Sequence, residues 1–130
     1  MTSREAIHTD AAPAAAGPYS QAIRANGFVY TAGQLGLDPA TGELAGADVA
    51  AQAERALQSL AAILDAAGSG MDRLVKVTVF LADIGDWPAV NEVYGRLVPE
   101  PYPARSAFAV RDLPKGALVE IEAVAVTGAG

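Results

Sequence analysis

Residues 74–84 read LVKVTVFLADI, with Val75, Val77, Val79 and Leu81 alternating against Lys76, Thr78 and Phe80. A period of two in a run rich in β-branched residues predicts a strand. Its flanks decide the fold. Upstream, VAAQAERALQSLAAILDAAG (49–68) carries Val49, Ala53, Ala56, Leu57, Leu60, Ile63, Leu64 and Ala67 at steps of three and four, a helical period. Asp48 stands where it can cap that helix, and Gly68 ends it. Downstream, Asp86 caps a second helix with Pro88 in its first turn. Trp87, Val90, Val93, Tyr94 and Leu97 form its apolar stripe. Pro99, Pro101 and Pro103 stop it, and RSAFAV (105–110) reads as another strand. Strand, helix and strand in this order predict a parallel crossover, right-handed by rule.

The remaining segments fit around that unit. SQAIRANGFVYTAG (20–33) reads as a hairpin turning at Asn26-Gly27, a pair that readily accepts positive φ. LDPATGEL (37–44) and DLPKG (112–116) carry turn chemistry, and LVEIEAVAVTG (118–128) is the last strand. The expected order is β-β-α-β-α-β-β, an α+β fold with two helices on one face of a mixed sheet. There is no internal repeat and no domain boundary, so residues 1–130 read as one domain.

Composition narrows the function. Of 130 residues 52% are hydrophobic, but 29 of these are alanine, with only three Phe, four Tyr and one Trp. Alanine buries little area, so further burial between subunits would help. The net charge is −6, and the nine Lys and Arg form no basic cluster, which argues against nucleic acid as a main partner. Cysteine is absent and His8 is the only histidine, which excludes a thiolate site, a His-based triad and a His-rich metal site. His8 lies near the start, where chains tend to be poorly ordered. No apolar run approaches the ~18 residues of a membrane span. The start MTSREAIHTD has no continuous apolar leader, so a cytoplasmic soluble protein is the default expectation.

Two acids interrupt the last strand. Leu118, Glu120, Glu122, Val124 and Val126 share one side, while Val119, Ile121, Ala123 and Ala125 form a natural core surface on the other. Either the first side is solvated and the glutamates keep it wet, or it lines a cleft or subunit interface where one glutamate works. Arg105 carries the same two readings. It follows a stiff PEPYP lead-in, and it either pairs with Glu120 or Glu122 across strands or offers its planar fork to a substrate carboxylate. Tyr19, in GPYSQA, follows a Gly-Pro and is a further candidate. GQLG (33–36) lacks the lysine and the helix of a phosphate loop.

Taken together, GPYSQAI (17–23), TAGQLGLDPATGEL (31–44), VKVTVFLADI (75–84) and YPARSAFAVRDLPKGALVEIEAVAV (102–126) resemble the RidA (YjgF/YER057c/UK114) family of reactive-intermediate deaminases. The resemblance spans nearly the whole chain. It implies a chorismate-mutase-like α+β fold assembled as a homotrimer with sites between subunits. It also implies hydrolysis of enamine/imine carboxylates, above all 2-aminoacrylate released by dehydratases that use pyridoxal phosphate, to 2-keto acids and ammonia. No cofactor and no metal are implied. Carried over residue by residue, Arg105 matches the carboxylate anchor and Glu120 the glutamate that holds the attacking water. Tyr19 matches the tyrosine that closes the pocket, and Gly33 a position whose backbone lies against substrate. Burial is expected to raise the Glu120 pKa. The chain departs from the family pattern at Ala32, where many members have serine, and at Ala107, where many have cysteine. Three other readings stand beside this one: a non-catalytic trimer that binds small carboxylates, an RNA-cleaving translation inhibitor, and a chaperone-like interaction role.

Overall fold

The structure, a computed structural model, describes residues 3–127. The chain runs β1 (Glu5–Ile7), β2 (Ala22–Ala25), β3 (Phe28–Thr31), β4 (Gln34–Leu35), α1 (Val49–Ala66), β5 (Leu74–Leu81), α2 (Trp87–Leu97), β6 (Ala104–Ala109) and β7 (Val119–Val126). The strands form one mixed sheet in the order β1-β2-β3-β7-β5-β6, with β4 also paired to β7. The crossover from β5 through α2 to β6 is parallel, as expected, and every other pairing is antiparallel.

Both helices cover the same face. All eight periodic residues of the first helix are buried, and α1 lays them against Val77, Val79, Leu81, Val119, Ile121, Ala123 and Ala125 of the sheet. Burying side chains such as Leu57, Leu60, Ile63 and Leu64 contributes about 1.5–3 kcal/mol each. Asp48 caps α1 by accepting a 2.8 Å hydrogen bond from the Ala51 amide. Asn26 and Gly27 both take positive φ (54° and 80°), the geometry a two-residue hairpin turn needs.

Four local expectations change. Residues 5–7 are tied down by pairing with β2, so His8, which bonds Asp10 at 2.9 Å, directly follows a strand. A bulge between Leu74 and Lys76 turns Val75 away from the core, so the alternation holds only from Lys76 onward. Asp86 sits at the N-cap of α2 but makes no side-chain cap bond, while Asp83 accepts from the Gly85 amide instead. The last strand ends at Val126, and Gly128, expected at its end, lies outside the described residues. Among the described residues no helix is long and apolar enough to cross a membrane.

Among the described residues no helix packs on the far face of the sheet. Phe28 and Tyr30 of β3 lie there opposite Val126 and Val124 of β7. Phe80 of β5 and Phe108 of β6 meet edge to face with ring centroids 5.3 Å apart. Tyr30 is 48% exposed and Phe108 45%.

Candidate active site: an acid pocket and a guanidinium seat

The four residues singled out in the sequence fall into two separate places. Tyr19, Gly33 and Glu120 line one pocket of about 380 Å³, with Ala32, Leu37 and Pro114 among its apolar walls. Arg105 lines another of about 400 Å³.

The acid pocket follows from how the chain leaves the sheet after β3. β3 pairs with β7 at residues 124–126 and β4 pairs at 120–121, so Ala32 and Gly33 bridge a gap between them. The Thr31 hydroxyl fills part of that gap by accepting from the Ala123 amide at 3.0 Å. Glu120 points from β7 to the far face, opposite Leu35 on one side and Phe80 on the other. Buried Gln21 pins the neighbouring wall. Its Nε2 donates to the carbonyls of Thr9 (3.0 Å) and Pro13 (2.8 Å), and its Oε1 accepts from the Thr9 amide (2.7 Å). Tyr19 stands at the rim, 54% exposed, its hydroxyl accepting from the Ala16 amide at 3.2 Å. Burial pushes the Glu120 pKa up, and the like charge of Glu122 on the same face pushes it further. The direction is the expected one.

The guanidinium seat is built by α2. Arg105 pairs in register with Val77 and therefore faces the helices, while Glu120 faces away from them. Trp87, Asn91 and Tyr94 fall on one side of α2 at steps of four and three. The Arg105 Cζ lies 4.6 Å from the Trp87 ring centroid and 4.7 Å from that of Tyr94, and its Nη1 donates to Asn91 Oδ1 at 2.8 Å. Tyr102 and Pro103, from the proline-rich lead-in, complete the wall. The Tyr94 hydroxyl is buried with no partner among the described residues, and burial raises its pKa against the opposing pull of Arg105.

This arrangement overturns one sequence alternative. Arg105 does not pair with Glu120 or Glu122, because β5 lies between β6 and β7 and the groups project from opposite faces. Asn91 was not singled out in the sequence, and Trp87 and Tyr94 were read only as packing residues. Their 4-3 spacing beside a polar position was the available signal.

The family model described as Endoribonuclease L-PSP matches residues 9–127. The chain is 50% identical over 125 residues to the Bos taurus protein named 2-iminobutanoate/2-iminopropanoate deaminase, covering 96% of this chain and 91% of that one. RidA from the Antarctic bacterium Psychrobacter sp. PAMC 21119 superposes with a TM-score of 0.91 at 47% identity, covering 94% of this chain and 98% of that one. E. coli TdcF, solved with bound serine, gives 0.91 at 41% identity, covering 95% and 99%. With the match spanning nearly the whole sequence and the fold shared throughout, the chain belongs to the RidA family, the one whose model is described as Endoribonuclease L-PSP.

Proposed function

We propose that the protein is a homotrimeric imine deaminase, hydrolysing 2-iminobutanoate, 2-iminopropanoate and similar enamine/imine carboxylates to 2-keto acids and ammonia. The observation that carries this reading is the division of the site. One chain holds a stacked, hydrogen-bonded guanidinium on one face of its sheet and a half-buried carboxylate on the other. In a closed ring of copies, Arg105 of one can meet Glu120, Tyr19 and Gly33 of the next. The uncovered face bearing Phe28, Tyr30, Phe80 and Phe108 supports such assembly, because extended exposed apolar surface marks interaction sites. The name of the bovine relative supports the substrate class, and the serine bound to TdcF is likewise a small carboxylate.

The chemistry requires little beyond positioning. An enamine tautomerises to its imine, whose protonated C2 is electrophilic. Arg105 binds the substrate carboxylate through two parallel charge-assisted hydrogen bonds. Glu120 accepts a proton from water as the water oxygen bonds to C2 and the C=N pair moves onto nitrogen. Returning that proton to nitrogen makes ammonia the leaving group. The C–N bond breaks as the hydroxyl lone pair forms C=O and its proton is released. Imine plus water thus gives keto acid plus ammonia. A carboxyl with a raised pKa suits both halves of this shuttle, and holding water against an oriented imine supplies much of the remaining barrier reduction.

The test adds the purified protein to a serine or threonine dehydratase reaction and times keto-acid appearance. Faster appearance, lost in Glu120→Ala, is expected. Retained carboxylate binding with unchanged imine decay would favour a binding trimer. RNA cleavage that survives Arg105→Ala would favour the nuclease reading.

A further inference from the structure

We infer that Gly33 is a positioning residue for Glu120: the side chain it lacks leaves the volume in which the Glu120 carboxylate sits. The inference rests on the reading of Glu120 as the working acid of the site. A Cβ added to Gly33 would overlap Glu120 Oε2 and stand 2.8 Å from its Cδ and 3.1 Å from its Cγ. Any side chain at position 33 therefore excludes the present conformation of Glu120.

The conformational reason for glycine does not apply at this position. Gly33 is not among the residues with positive φ, so its backbone is open to other residues. Replacing a glycine by alanine in such a conformation tends to stabilise a protein, by restricting its unfolded chain. The three nearest heavy atoms to the added Cβ all belong to Glu120, the mobile end of a long side chain rather than rigid backbone. The chain can thus fold with alanine at 33, and the accommodation falls on the carboxylate. It must move by roughly an ångström or more to reach ordinary van der Waals separation. A displacement of that size near a reacting centre costs on the order of a hundredfold in rate.

The location explains why this contact matters. Gly33 lies in the gap between β3 and β4, and Leu35, two residues on, is directly opposite Glu120. The glycine forms a floor on which the carboxylate rests, in a pocket lined by Ala32, Leu37 and Pro114 together with the polar groups of Tyr19 and Lys115. This role differs from lending a backbone group to substrate, and the two separate experimentally.

The test is a kinetic cycle joined to a titration. Gly33→Ala should keep or raise the melting temperature and lower kcat on the order of a hundredfold. KM should change little, because the anchor Arg105 is untouched. In a Glu120→Ala background the three atoms nearest the added Cβ are gone, so adding Gly33→Ala should lower the residual kcat by no more than about tenfold, far less than with Glu120 in place. Isotope-labelled glutamate observed by carbon NMR should show the Glu120 pKa falling toward the ordinary carboxylate value in Gly33→Ala as the group is pushed outward. Equal losses in both backgrounds, or an unchanged Glu120 titration, would overturn the inference. If Glu120→Ala is too slow to time, the titration decides. If wild type hydrolyses no imine, the proposed function fails, and the titration still decides the role of Gly33.

Discussion

Replacing Arg105 with lysine keeps the charge and removes the shape. The guanidinium is held by Asn91 at 2.8 Å and lies 4.6 and 4.7 Å from the Trp87 and Tyr94 rings, which leaves its remaining N–H groups free for a ligand. An ammonium cannot present two parallel donors, and losing one hydrogen bond to a charged group costs ~1.5–3 kcal/mol. Weakened stacking removes ~0.5–1 kcal/mol more, together with the orientation it imposes. The total, ~2–4 kcal/mol, corresponds to about a thirtyfold to thousandfold loss in kcat/KM. A carboxylate anchor binds ground and transition states alike, so the loss should fall mainly on KM. Keto-acid appearance timed at increasing imine supply separates the two constants. The melting temperature serves as the control, because Arg105 is exposed and its replacement leaves the core intact. A lysine variant with wild-type KM would refute the anchoring role.

Three further outcomes follow from the same geometry. Glu120 has a folded pKa above its unfolded value, so the folded protein holds that proton more tightly and ionisation destabilises it. Stability is then lost as pH rises from about 4.3, the ordinary glutamate value, through the raised one; Glu120→Gln should melt higher than wild type at neutral pH, an advantage that vanishes in acid. By the same shift, the acid limb of the rate profile should turn at a higher pH than an ordinary glutamate would give. Phe108→Asp puts a charge on the uncovered sheet face beside Phe80 and should shift the mass measured by light scattering from three times 13.2 kDa to a single 13.2 kDa chain, with activity lost. An intact trimer in that variant would contradict the assigned interface.

Much of the fold could be read because its signals are local. The buried face of α1 is a 3.6-residue period that any window reveals, and all eight of its expected core residues are buried. The Asn26-Gly27 hairpin and the β5-α2-β6 crossover rest on equally local chemistry. Strands β1 and β4 escaped because three and two residues carry no period. The candidate site residues could be named one by one from the sequence, but their arrangement could not. Alternation along β7 correctly put Glu120 on the face away from Ile121, yet the face of Arg105 depends on its pairing with Val77, which only the sheet order decides. The Gly33–Glu120 contact joins segments far apart in sequence, and no local pattern announces it.

The most direct test mixes two inactive proteins. Arg105→Ala and Glu120→Ala are unfolded together in equal amounts and refolded into rings. If every cleft takes Arg105 from one copy and Glu120 from its neighbour, both groups are intact in about one cleft in four, so about a quarter of wild-type imine hydrolysis should return. If the mixture stays as inactive as its parents, both groups come from a single chain, and the shared-site account is wrong.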